Sequence, residues 1–386
     1  MFVLLSSLAL ASAPTALGGD DGFSLDREDY GVPDLPMVPV GTEPIINGEP
    51  YTKNDWPETG AMVVKMGFRY GSQTFEIVTP ICSSTLIAPD VVLLAAHCVD
   101  PQVLAYSSGG ADIVGFGFDR GVNLTGYMFD WNPGTAISSG TVLHPQFDIR
   151  NFSGFDSLGV AKNDDIALMF LDEPLLDVPF AYLPTVDEAD QMAEGNELAI
   201  VGWGQRSAQD QYSAGRKYGG ISHINELGEH EFQVGGEVQD VRKCHGDSGG
   251  PSFMAVESDS SAEYRVVGVT SHAYDLTDCY QTGGVDTRVD AYLEWIEEEM
   301  IEACDNGTRS WCDWPGIIPP PDADGYHAWE VNPNAPLDPF AAATGGDGDD
   351  GDSSSSESKG GCSTASSSAG IAGVLVGLVG LLGRRR

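Results

Sequence analysis

Three residue types far apart in this chain could together do acyl-transfer chemistry. Ser248 sits in Gly246-Asp247-Ser248-Gly249-Gly250. Glycines let the backbone turn sharply and let two N–H groups aim at one oxygen, so a serine placed there reads as a nucleophile on a tight loop. A serine hydroxyl is a weak nucleophile at neutral pH and needs a base within hydrogen-bond reach. Two upstream stretches offer partners. His97 lies in Ala95-Ala96-His97-Cys98, and an acid lies in Asn163-Asp164-Asp165-Ile166-Ala167-Leu168. Asp164 competes with Asp165 for that place, and the apolar residues that follow favour Asp165.

The order along the chain narrows the reading. Gly-x-Ser-x-Gly also marks the strand-to-helix elbow of α/β-hydrolases, but there the order is serine, acid, histidine. The order His97, Asp165, Ser248, with the quoted motifs, resembles the chymotrypsin-like (trypsin-like) serine proteases over roughly residues 45 to 300. The resemblance implies an endopeptidase acting on proteins or peptides. His97 would be the base and then the acid, and Asp165 the residue that fixes its tautomer. Gly246 and Ser248 would supply the amides of the oxyanion hole. Ile45-Ile46-Asn47-Gly48 resembles the mature amino terminus of this family. A freed Ile45 amino group would pair with Asp247. Glu43-Pro44 precedes that point where a tryptic activator would need Lys or Arg, so activation needs another protease or a trimming step, or does not occur this way. A catalytically silent homologue that binds a partner at the cell surface is the alternative.

By the same resemblance, Arg242 stands at the floor of the primary specificity pocket, Ser271, His272 and Ala273 on one wall and Gly284 on the other, with Asp286 near the floor. Either Arg242 receives an acidic substrate side chain, or Asp286 neutralises it. A buried, unpartnered arginine is costly, so the internal pair is preferred. The implied disulfides are Cys82–Cys98, Cys244–Cys279 and Cys304–Cys312, leaving Cys362 as the odd one of seven. Closing the Cys82–Cys98 loop is worth roughly 3 kcal/mol.

The elements that must hold these residues are short. Between residues 61 and 290, β-rich runs such as Val91-Val92-Leu93-Leu94 and Leu198-Ala199-Ile200-Val201 alternate with Gly, Pro, Asn and Asp. This predicts an all-β fold of barrels or sandwiches. The resemblance sharpens it to two six-stranded antiparallel β-barrels with the active site between them. Asp290–Ile301 reads as an amphipathic C-terminal helix.

Around this 45–303 domain lie segments of other character. Residues 1–16 form an apolar run ending in small residues, as in a secretory signal peptide, and 17–44 read as a propeptide. Residues 304–341, with Trp311, Trp314, Trp329 and three consecutive prolines, form a disulfide-stapled extension that could also act as a binding module. Residues 342–361 are Gly, Asp and Ser and read as disordered linker. The tail 362–386 places Gly-Cys362 before an apolar run shorter than the ~20 residues of a full span, then Arg384-Arg385-Arg386. It resembles myxobacterial carboxy-terminal sorting signals. That resemblance implies sorting machinery, processing or lipidation near Cys362, and contact with a membrane; a plain membrane helix is the other reading. Disulfides and signal together predict a bacterial exported protein, secreted or on the cell surface. With 58 acidic and 19 basic residues the net charge is −39, which argues against nucleic acid as a partner. Asp322-Ala323-Asp324-Gly325 is only a fragment of a calcium loop, so no metal and no cofactor is expected.

Overall fold

The computed structural model describes residues 45–317, apart from 71, 127, 153–158, 206–213, 258–261 and 276–278. The signal, propeptide, linker and Cys362 tail expectations, and residues 318–341 of the extension, lie outside the described residues.

A two-residue strand, β1 (Glu49–Pro50), leads into the first barrel. That barrel comprises β2 (Thr59–Tyr70), β3 (Gln73–Ala88), β4 (Val91–Leu94), β5 (Asp112–Asp119), β6 (Ala136–Leu143) and β7 (Ala167–Leu171). It closes in the order β2-β3-β4-β7-β6-β5. The second comprises β8 (Glu197–Gly202), β9 (Tyr218–Leu227), β10 (Glu231–Val234), β11 (Pro251–Glu257), β12 (Ala262–Ala273) and β13 (Gly284–Arg288). Its ladder runs β9-β10-β13-β12-β11-β8, and pairing of β8 with β9 closes it, with β1 added beside β9. All these pairs are antiparallel, and closure removes the sheet edges.

The β-branched and leucine-rich runs become the strands buried on both sides. Every residue of β4 and β7 is buried, and the two pair as Val91↔Phe170 and Leu93↔Leu168. Burying each such side chain contributes about 1.5–3 kcal/mol. Helix Leu293–Asp305 buries Ile296, Met300 and Ala303, one stripe at helical spacing, against the first core. No helix among the described residues is long and apolar enough to cross a membrane.

The three expected disulfides form: Cys82–Cys98, Cys244–Cys279 and Cys304–Cys312. The segment after the helix is more than a surface layer. The Arg309 guanidinium donates to Asp90 Oδ1 at 2.8 Å, with both side chains fully buried. Asp90 Oδ2 accepts the Ser310 and Trp311 amides at 2.9 and 2.8 Å. Trp314 packs edge-on to Phe180 and joins the main core. Residues 304–317 thus strap the helix end onto the turn between β3 and β4.

Candidate active site

His97 sits on a single 3-10 turn, Ala96–Cys98, directly after β4. Buried Ala95 and Ala96 fix its root, and the Cys82–Cys98 bridge ties the turn back to β3. Asp165 stands two residues ahead of β7 and is fully buried. Its Oδ2 lies 2.7 Å from His97 Nδ1, and its Oδ1 accepts the His97 backbone N–H at 2.9 Å. The Ser271 hydroxyl of β12 donates to the same Oδ2 at 2.7 Å. Burial by itself would raise the Asp165 pKa, but the facing imidazole and these hydrogen bonds outweigh it and hold it below the usual carboxylate range. The carboxylate can only accept, so His97 Nδ1 carries the proton and Nε2 of the neutral ring is left as a base.

Asp164 faces elsewhere. It adopts φ +52°, rare for a residue with a side chain. Its Oδ1 accepts the Tyr292 hydroxyl at 3.0 Å and lies 3.7 Å from both His144 Nδ1 and Lys162 Nζ. That twist separates the two adjacent carboxylates, and the one on His97 is Asp165.

Ser248 lies in the loop before β11. Gly246 and Gly249 have φ +93° and +78°, so the turn needs residues without a side chain on both flanks. The Cys244–Cys279 bridge and a 2.8 Å bond from Ser83 N to Ser248 O hold the loop. A Cβ on Gly249 would come within 3.1 Å of Ala95 N, which shows how closely the loop lies against the His97 turn. Asp247, Gly249 and Gly250 donate their amides to Cys244 O, Thr270 O and Asp247 O. Among the described residues, the amides of Gly246 and Ser248 donate to no protein acceptor.

The Asp247 carboxyl is fully buried and accepts from Cys244 N and Gly204 N, each at 2.8 Å. Gly204 has to be glycine, because a Cβ there would sit 2.5 Å from Asp247 Cγ. Burial pushes the Asp247 pKa up to about 7 in this uncleaved chain. Ile45 is also buried, with φ +47°, and Ile46 exchanges backbone hydrogen bonds with Arg242 at 2.8 and 2.9 Å. Here the Ile45 nitrogen is a peptide nitrogen, and the partners of Asp247 are the two amides.

The Arg242–Asp286 pair expected at a pocket floor is not formed. Asp286 Oδ2 takes Lys243 Nζ at 2.7 Å, with both side chains at 0 % exposure. Lys243 Nζ also donates to Ser252 Oγ at 2.9 Å. Arg242 donates instead from Nη1 to Tyr280 O at 2.6 Å. Consecutive residues of extended chain point to opposite sides, so one turns to β13 and the other away. Ser271 and His272, expected on the pocket wall, also turn elsewhere. Ser271 bonds Asp165, and His272 Nε2 lies 2.9 Å from Asn163 Nδ2. Ala273 and Gly284 are direct neighbours across β12 and β13.

Four contributors escaped the motif reading: Lys243, Ser83, Asn163 and Glu231. Asn163 lay inside a quoted stretch, and Lys243 stands beside Arg242. Ser83 and Glu231 carry no local signal, since their partners are distant in sequence. The cysteines near His97 and His245 are oxidised, so their sulfurs are not thiolate metal ligands.

Two closed antiparallel barrels, a buried aspartate on a histidine and a glycine-lined serine loop define a chymotrypsin-like serine peptidase scaffold. The trypsin family model matches residues 45–296, and the chain belongs to the trypsin family. It is 27 % identical over 272 residues to chymotrypsin-like elastase family member 1 of Bos taurus, covering 66 % of this chain and 89 % of that protein. It is 26 % identical over 306 residues to melanization protease 1 of Drosophila melanogaster, covering 69 % of each. The family supports serine endopeptidase chemistry on protein or peptide substrates.

Proposed function

We propose that this chain is an exported serine endopeptidase using His97, Asp165 and Ser248. The observation that carries the reading is the 2.7 Å bond from His97 Nδ1 to the buried Asp165, which leaves Nε2 as the base. Ser248 Oγ attacks the scissile carbonyl carbon while His97 Nε2 takes its proton. The resulting oxyanion is received by the unused amides of Gly246 and Ser248. His97 then hands the proton to the leaving amine, and the C–N bond breaks to leave an acyl-serine. Water, deprotonated by His97, releases the acid and restores Ser248.

Cleavage after Glu43-Pro44 frees the Ile45 amino group, which pairs with Asp247. A buried carboxyl poised near 7 gains a cationic partner and stays ionised, which fixes the Gly246 amide. Since Lys243 and Asp286 neutralise each other, Arg242 remains the positive group beside the pocket, and cleavage after Glu or Asp is the favoured specificity. Ala273 and Gly284 line the way in. The N-terminal signal and the three disulfides support export, and the Cys362 tail supports tethering through sorting machinery at a membrane.

The test is peptide-library cleavage by protein beginning at Ile45, beside Ser248→Ala and with fluorophosphonate labelling. Cleavage and labelling lost together in Ser248→Ala are the expected result. A folded protein with a free Ile45 amino group that neither cleaves nor labels is instead a silent, partner-binding homologue.

A further inference from the structure

The segment that delivers Asp165 to His97 is gripped from the second barrel. Thr287 of β13 donates its hydroxyl to Asp165 O at 3.1 Å. Directly across the ladder, paired with Thr287, is Glu231 at the start of β10. Its side chain is fully buried and reaches back to the same segment. Glu231 Oε2 accepts the Ala161 amide at 2.8 Å. Oε1 accepts the Asn163 amide at 3.1 Å and Asn163 Nδ2 at 2.9 Å. The same Nδ2 lies 2.9 Å from His272 Nε2, so its two protons serve a carboxylate and a ring nitrogen. His272, next to the Ser271 that bonds Asp165, is thereby drawn into the same network.

We propose that Glu231 is a positioning residue for Asp165, acting as a carboxylate that holds residues 161–163 so that the following acid meets His97. All three of its partners are donors, so a neutral side chain with its own N–H or O–H cannot accept from all of them. The role rests on the peptidase reading above. The groups facing Glu231 fit it. On the 161–165 stretch lies Asp165, on β12 His272, with Nε2 3.8 Å from Glu231 Oε2, and after β13 the Tyr292 hydroxyl. Among the described residues no lysine or arginine pairs with it. Burial pushes the Glu231 pKa up to about 7, with Asp165 adding to the rise, while its backbone donors oppose it. Burial pulls His272 down to about 4, so its ring is neutral when Glu231 titrates.

Protonation of Glu231 and of His97 then act on the same side of the pH profile. As pH falls, a proton on the base removes its lone pair, and a proton on Glu231, taken up near pH 7, loosens the acid that orients that base. The acid limb of log kcat/KM should steepen toward a slope of two. Glu231→Gln should lower kcat about ten- to a hundredfold, the range expected of a small misplacement, with KM nearly unchanged and the acid limb back to a slope of one. An acid limb of slope one in the unaltered protein would overturn the proposal, as would Glu231→Gln with unchanged kcat and an unchanged profile. The first of these readings needs no variant to fold. The second measurement is the low-field proton resonance of His97 Nδ1, which is observed whether or not peptides are cleaved. Beside the step from protonation of the ring itself, its shift should show a further inflection near pH 7 in the unaltered protein that is absent in Glu231→Gln. Identical titration curves in both would overturn the assignment. Failure of the peptidase reading shows separately, as cleavage that survives Ser248→Ala or as no cleavage at all.

Discussion

The buried pair of Lys243 and Asp286 makes a quantitative prediction at the scale of single residues. Removing one partner leaves an uncompensated charge with no water, at a cost of about 3–5 kcal/mol. Lys243→Met should therefore lower the denaturant midpoint sharply. Lys243→Met with Asp286→Leu should recover most of the loss, and a double-mutant cycle measures the difference. Ser271 makes a second. Its hydroxyl shares Asp165 Oδ2 with His97, so Ser271→Ala concentrates the carboxylate charge on the imidazole. Losing this hydrogen bond to a buried carboxylate should cost about 1.5–3 kcal/mol, which a denaturant melt reads. The residues of the proposed triad were legible because glycines, a histidine beside a cysteine and an acid before an apolar strand are local signals. Which partner each buried charge finds was not. Arg242 and Lys243 are adjacent in sequence, and only the strand geometry decides which one meets Asp286.

At the scale of elements, an all-β fold followed from alternation of β-branched runs with turn residues, and the count of two barrels from the family resemblance. The C-terminal helix followed from its apolar stripe. The residues after it did not, because their grip depends on one arginine reaching an aspartate 219 positions away. The strap is a part of the fold that can be tested. Arg309→Met leaves Asp90 buried with two amides and no cation, and should cost about 3–5 kcal/mol in a urea melt. A change of under 1 kcal/mol would show that the Ser310 and Trp311 amides suffice. Trp311 and Trp314, whose composition invited a binding role, pack 6.0 Å apart, and Trp314 is spent on the core.

Across the whole molecule, charge sets the response to solvent. With a net charge of −39, self-repulsion opposes compaction, and screening relieves it. The thermal midpoint should climb as salt is raised at pH 8. Two buried acids, Glu231 and Asp247, have pKa values raised to about 7. Between their ordinary values and 7, the folded uncleaved chain binds more protons than the unfolded one, so stability falls as pH rises through that window. The uncleaved chain should melt higher at pH 5 than at pH 8. Release of the Ile45 amino group should lessen that trend, because the proposed ion pair would give Asp247 a cationic partner. Equal slopes before and after cleavage would remove Asp247 from the activation step.

The Asp90–Arg309 contact also bears on the order in which the chain can become native during synthesis. The first barrel emerges from the ribosome early, with every strand present by residue 171. Yet the carboxylate on its β3–β4 turn has its guanidinium encoded near the far end of the domain. Until that arginine arrives, the barrel holds an acid that must stay hydrated, so its closed form is disfavoured. The two ends of the domain are therefore thermodynamically one piece. Chains that stop short should be left open to proteolysis, which makes the strap a built-in check that translation has reached the end of the fold.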